Sequence, residues 1–213
     1  MPIFKSNGAL VLFIHIPKTG GTSIERFFAS KGVALAFWSR QLHADGGQGF
    51  PCSPQHFHQP ILEALFPETF FDKKVAVVRH PVTRMVSEYR HRMGIRIRKG
   101  FSVIDFEGWL KQSFGKVEVD EYFKDNHFRP QVQFIDDHTT VFRLEDGLIN
   151  PVRYIADALE MSVGENPKIP IKNSGVKLDV AVSARASSLI EEVYSDDMQS
   201  FGYSDFTLGV LRG

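Results

Sequence analysis

The sequence predicts an α/β domain in which helices flank a central parallel sheet. Two runs, Ala9–Ile16 and Lys74–Arg79, have continuously apolar centres, as strands buried on both faces do, instead of an alternating pattern. Each passes within a few residues into a stretch with helical periodicity. Strands that alternate with helices along a chain fit a parallel sheet with helical crossovers. At 213 residues the chain is long enough for one well-buried domain and short for two, so a single domain over residues 1–213 is expected.

The elements follow in order. Ala9–Ile16, interrupted only by His15, is the first strand. Ser23–Ser30 is a helix with Ile24, Phe27 and Phe28 on one side, and Val33–Trp38 reads as a second strand. Residues 39–59 hold Gly46, Gly47, Gly49, Pro51 and Pro54 and read as a long loop, a feature that in compact domains goes with function or disorder. Pro60 opens a short helix over Ile61–Phe66. After the strand Lys74–Arg79, Pro81 starts a strong helix whose apolar stripe is Val82, Met85, Val86 and Tyr89; His80, Arg84, Ser87 and His91 fall on its other face. The basic tract Arg90, Arg92, Arg96, Arg98 and Lys99 reads either as an attractor of an anionic acceptor or as a solvated helix end. Asp105–Phe114 is helical, Thr139–Leu144 is a third core strand, and Pro151–Met161 and Val180–Tyr194 are helices joined by a loop around Lys172, Asn173, Ser174 and Gly175. The chain has no internal repeat.

Composition narrows the function classes. The 25 basic and 25 acidic residues balance, whereas a nucleic-acid binder is normally basic, so nucleic acid is not the expected partner. The 19 phenylalanines fit an aromatic-rich core better than a dedicated apolar acceptor pocket. Cys52 is the single cysteine, which excludes an intramolecular disulfide and fits a reducing, cytoplasmic location. The N-terminus shows no secretory h-region, and the longest apolar run is far too short for a membrane span.

The chemistry concentrates where the first strand hands over to its helix, in Phe13-Ile-His-Ile-Pro-Lys-Thr-Gly-Gly-Thr-Ser23. Backbone N–H groups and the helix dipole favour a bound anion there. Gly20 and Gly21 permit close approach of the backbone, and Lys18 adds a mobile charge. The ATPase or kinase P-loop places its lysine after the glycines and a Ser/Thr on Mg²⁺; here Lys18 precedes them, so that signature is not met. No metal-holding Asp ends the next strand. Arg79 stands there instead, and an arginine suits a second anionic group. Arg79 and Ser87, two turns into the following helix, supply charge and hydroxyl for one phosphate. Taken singly, Lys18 also fits a solvated surface charge and Ser87 an ordinary helix residue. Two anion sites at neighbouring strand ends suit a nucleotide phosphorylated at two positions.

The motifs "FIHIPKTGGTS" and "VVRHPVTRMVSEYRH" resemble the two nucleotide-binding motifs of sulfotransferases that use 3'-phosphoadenosine 5'-phosphosulfate (PAPS). The branch resembled also contains carbohydrate O-sulfotransferases, and this chain looks like a soluble, bacterial-type member. Asn126-His-Phe-Arg-Pro-Gln131, Val141-Phe-Arg-Leu-Glu145 and Tyr194-Ser-Asp-Asp-Met-Gln-Ser-Phe-Gly-Tyr203 extend the resemblance, in order, over roughly the whole chain. It implies a P-loop-NTPase-like sulfotransferase fold. It also implies sulfuryl transfer from PAPS to a saccharide, lipid or small-metabolite hydroxyl, with release of PAP. Lys18, Thr19, Gly20, Gly21, Thr22 and Ser23 would hold the 5'-phosphosulfate, Arg79 and Ser87 the 3'-phosphate, and Lys172, Asn173 and Ser174 either close over the nucleotide or form an ordinary turn. No metal is required, because Lys18 and the helix amides supply the positive charge.

An acceptor hydroxyl needs a general base, and an imidazole suits the task. Of eight histidines, His15 lies in the first strand and reads as structural. His56 and His58 in Ser53-Pro-Gln-His-Phe-His-Gln-Pro60 would face one side if that segment is extended, and related glycan sulfotransferases carry a catalytic histidine in a comparable region. They are the favoured pair; His127 and Glu63 follow. Two other readings stand beside the enzyme: a nucleotide kinase or ATPase, and an inactive PAP-binding module.

Overall fold

The computed structural model describes residues 1–38, 50–170, 176–204, 206 and 209–213. Its backbone divides into two compact units, one formed by residues 1–78 and 131–172, the other by 79–130 and 173–213.

The first unit holds a five-stranded sheet. Its strands are β1 (Ile3–Ser6), β2 (Ala9–Ile14), β3 (Ala34–Ala36), β4 (Lys73–Val78) and β5 (Thr139–Arg143), in the spatial order β3-β1-β2-β4-β5. β2, β4 and β5 pair in parallel, with Phe13 opposite Val75 and Ala76 opposite Val141. β1 runs antiparallel to both β2 and β3, so four of the five strands point the same way. The α/β class is therefore as expected, whereas the wholly parallel sheet is not. The antiparallel turn has a local cause. Asn7 (φ 49°) and Gly8 (φ 85°) form a two-residue connection between Ser6 and its partner Ala9, the left-handed geometry that an Asn-Gly hairpin favours.

The centres of β2 and β4 are buried on both faces: Val11–Ile14 and Val75–Val78 are at most 1% exposed. Val11, Phe13, Val75 and Val77 pack with Ile24, Phe27 and Phe28 of α1 (Gly21–Ser30) and with Val152, Ile155 and Ala156 of α5 (Ile149–Ala158). α1 thus buries the apolar side expected of it. Helix α2 (Gln59–Leu65) has Pro60 in its first turn, as expected. The second expected strand shrinks to the three residues of β3, and Pro54–His56 forms a 3-10 turn. Most of the expected 39–59 loop, residues 39–49, lies outside the described residues.

The second unit is built on α3 (Pro81–Arg98), α4 (Phe106–Val117), α6 (Ala184–Val193) and α7 (Ser195–Ser200), with a small hairpin of β6 (Val180–Val182) and β7 (Gly209–Leu211). Val82, Met85, Val86 and Tyr89, the expected stripe of α3, enter a core with Trp109, Leu110, Phe128 and Ile190. Three expectations need correction here. Val180–Val182 is a strand, because it pairs with residues 209–211; Ser183 then caps α6 by accepting from Ala186 N at 3.1 Å. Arg84, read on the face opposite the apolar stripe, is fully buried: its Nη2 donates to the Arg129 carbonyl at 2.8 Å, and its guanidinium lies 5.0 Å from the Tyr194 ring centre. The basic tract is partly used up internally. Arg90 donates to the carbonyls of Leu178 and Leu211 at 2.9 and 2.6 Å, and Arg92 Nε bonds Glu88 at 2.5 Å. Among the described residues no helix is long and apolar enough to cross a membrane.

Candidate active site

β2 ends at Ile14, and the chain takes six residues to reach the first turn of α1. Two left-handed residues make this turn: Lys18 at φ 72° and Gly20 at φ 88°. A non-glycine residue in that region costs about 1–2 kcal/mol, so the loop holds Lys18 in a conformation that its own propensity opposes. Thr19 is buried and its hydroxyl donates to the Ile16 carbonyl at 2.9 Å, which leaves Thr19 in a loop-shaping position. Gly20 is the N-cap of α1. It provides no side-chain cap, and the first turn carries no acidic residue. No carboxylate within that first turn competes for the amides that begin α1, an arrangement that suits an anion. Thr22 is half-buried and Ser23 buried; Lys18 is half-buried.

Beneath this loop lies a buried polar cluster. The His15 ring rests against Gly21: a Cβ on Gly21 would come within 2.9 Å of His15 Cε1 and Nδ1. His15 Nδ1 makes a short bond to Glu25 Oε1, one turn along α1 from Gly21. Gln55 Nε2 donates to both Glu25 oxygens at 2.9 and 3.1 Å, and Trp38 Nε1 donates to Oε2 at 2.9 Å. Burial works to raise the Glu25 pKa; the His15 charge and the bonds from His15, Gln55 and Trp38 together outweigh it and hold the carboxyl down to about 2.

The His15 ring also meets His56 edge-on, with centroids 5.3 Å apart and planes at 74°. The start of α1 and one of the two favoured histidines thus pack on the same imidazole. His56 is 3% exposed and its Nδ1 lies 3.4 Å from Ser53 Oγ. His58, also buried, is the N-cap of α2, and its carbonyl accepts from the amides of Ile61 and Leu62. The segment that carries these histidines is a 3-10 turn at Pro54–His56, not the extended strand that would have aligned them by alternation. Cys52 is buried with its thiol 3.5 Å from the His56 carbonyl. Glu63 is exposed on α2 at a cavity of about 490 Å³, where Lys74 and Asp136 pair at 2.5 Å.

Within the second unit, Arg79 directly follows β4 in the chain and precedes the His80 N-cap of α3. Arg79 Nε donates to Thr83 Oγ1 at 3.0 Å, and Thr83 Oγ1 donates to the His80 carbonyl at 3.0 Å. Thr83 and Ser87 are four residues apart on one face of α3, so Arg79 is drawn toward the face that Ser87 shares. Ser87 is half-buried. His127 Nδ1 donates to buried Glu88 Oε2 at 2.8 Å, and its ring stacks on His91 with centroids 6.3 Å apart. Lys172, Asn173 and Ser174 lie outside the described residues. Among the described residues, no group of three or more His, Cys, Asp or Glu side chains is gathered as a metal-ligand set.

Sequence reasoning missed Glu25, Gln55, Trp38 and Thr83. Glu25 had a signal. It occupies the i+4 position from Gly21 and the i−3 position from Phe28, so a carboxylate sits on the side of α1 that turns inward. Searches of curated proteins and of solved structures give no significant match. Residues 3–204 match the model of the Sulfotransferase family, a span that takes in Phe13–Ser23, Val77–His91 and nearly the whole chain. The chain belongs to the sulfotransferase family.

Proposed function

We propose that the protein transfers the sulfuryl group of PAPS to an acceptor hydroxyl and releases PAP. The observation that carries this reading is the uncapped, acid-free start of α1 behind the left-handed Lys18 and Gly20, a cradle suited to the 5'-phosphosulfate. Lys18, Gly20, Gly21, Thr22 and Ser23 hold that group, with Thr19 shaping the loop from inside. Arg79 and Ser87, together with Thr83, hold the 3'-phosphate from one face of α3.

In the transfer, the acceptor oxygen forms a bond to sulfur as the bond from sulfur to the bridging phosphate oxygen breaks. Negative charge grows on that bridging oxygen. Lys18 and the α1 amides stabilise it more in the transition state than in the ground state. His56 takes the proton of the acceptor hydroxyl, and His58, next but one along the chain, shapes the same wall.

The test is PAP binding read by thermal melting. At 100 times its Kd, a ligand adds about 2.7 kcal/mol, or about 5–10 °C for a chain of this size. Lys18→Ala and Arg79→Ala are each expected to abolish the shift. A protein indifferent to PAP, or one stabilised better by ATP with Mg²⁺, overturns the reading. A mass-resolved transfer screen from PAPS across sugars, phenols, lipids and peptides then identifies the acceptor.

A further inference from the structure

We infer that Glu25, acting with His15, is a positioning residue that holds the anion loop and the His56 turn in one register. The inference rests on the reading of His56 as the base.

Glu25 is 1% exposed, and a buried carboxylate is costly unless paired and hydrogen-bonded. Its donors come from three separate segments: His15 after β2, Trp38 after β3, and Gln55 in the 3-10 turn. Two of these connections run toward the chemistry. Gln55 immediately precedes His56, so fixing the Gln55 amide on Glu25 fixes the turn that carries His56. The His15 ring, locked by Glu25, backs Gly21 and lies nearly perpendicular to the His56 ring with centroids 5.3 Å apart. One carboxylate therefore sets the placement of a loop that binds the donor and of an imidazole that receives a proton, while touching neither reactant. Misplacement of a reacting group by about 1 Å costs on the order of a hundredfold in rate. A carboxylate that served only to fill the core would be replaceable by an apolar side chain of similar volume.

The experiment compares wild type, Glu25→Gln and His56→Asn for PAP release from PAPS, with water as acceptor where no better hydroxyl is supplied. Melting and the PAP-induced shift are recorded alongside. Glu25→Gln is expected to melt cooperatively and keep its PAP shift. Its kcat should fall about ten- to hundredfold, with KM for PAPS changed by less than about threefold. A folded Glu25→Gln with wild-type kcat, or a loss carried by KM, overturns the inference. If Glu25→Gln does not fold, Gln55→Leu keeps the His15–Glu25 pair and removes the Gln55 amide from both Glu25 and His15, whose Nδ1 it meets at 3.1 Å; the same kcat-selective loss is expected, and wild-type kcat overturns the inference. A wild type that neither binds PAP nor turns over PAPS removes the sulfotransferase reading and this inference with it. An active His56→Asn removes the base assignment and this inference. Loss in His56→Asn beside an unaffected Glu25→Gln removes this inference alone.

Discussion

Substituting Gly21 by alanine sets two effects of opposite sign against each other. Gly21 is the first residue of α1, where alanine's higher helix propensity adds up to about 1 kcal/mol in an interior position and less at the end. Against that, the new methyl would meet three atoms of the His15 ring, two at 2.9 Å and one at 3.0 Å. The ring cannot swing aside cheaply, because its Nδ1 is tied to buried Glu25 and it packs against His56. Overpacking of a filled site costs about 1–3 kcal/mol, so the net effect is a loss of about 1–2 kcal/mol. At about 2–4 °C per kcal/mol for a chain of this length, the melting temperature should drop by about 2–8 °C. Thermal and urea unfolding of Gly21→Ala in the wild-type and His15→Ala backgrounds measure it. Removing the ring should erase the penalty and restore the small gain from helix propensity. A Gly21→Ala that stabilises the wild type, or that costs as much without the ring as with it, refutes the steric account. Gly32→Ala is the control: its φ is +81° and nothing lies within 4 Å, so only left-handed strain, about 1–2 kcal/mol, should appear, in either background.

Acid should expose the Glu25 network. The folded pKa of Glu25, about 2, lies below its ordinary 4.5, so its stabilisation is complete above pH 4.5 and is lost as pH falls toward 2. The shift corresponds to about 3 kcal/mol; urea unfolding of wild type against Glu25→Gln should show a gap that is steady from pH 7 to 5 and closes below 4.5. A gap independent of pH would count against the charge as its origin. At α4, Asp105→Ala removes the N-cap bond from Gly108 N, 2.8 Å long, and should lower the melting temperature by about 2–4 °C, the equivalent of about 1 kcal/mol. Asp105→Asn should keep most of that stability; equal losses in both variants would place the effect elsewhere.

The sequence and the structure agree where local chemistry decides the outcome. The uninterrupted apolar centres of β2 and β4 announce burial on both faces, and the spacing of Ile24, Phe27 and Phe28 announces the buried side of α1. Where distant partners decide, the reading fails. Val180–Val182 has helix-like neighbours and becomes a strand only because residues 209–211 return to pair with it. Arg84 falls opposite the apolar stripe of α3, yet Arg129 and Tyr194, far along the chain, make a buried place for it. β1 is legible locally: Asn7-Gly8 between two apolar runs is a hairpin signal with a stereochemical basis. In the candidate site, the glycines are legible as a left-handed turn that leads into α1, which Gly20 makes at φ 88°. The Glu25 network is not, since its donors at positions 15, 38 and 55 converge only in three dimensions.

The order of strands in the sheet bears on how the chain folds. β1 and β2 are joined by two residues, and β3 pairs with β1 from within the first 36 positions, so that half of the sheet assembles from near neighbours in sequence. β4 and β5 pair only after residues 79–130, which belong to the other compact unit, have been traversed. Closing a loop of that length is slower than closing a hairpin, because the entropy of the intervening chain must be lost before the pairing contributes anything. The hairpin should therefore become protected from hydrogen exchange early in refolding, with β4–β5 pairing as the late event. The strand that leads directly to Arg79 would then gain its last neighbour only after most of the chain has formed.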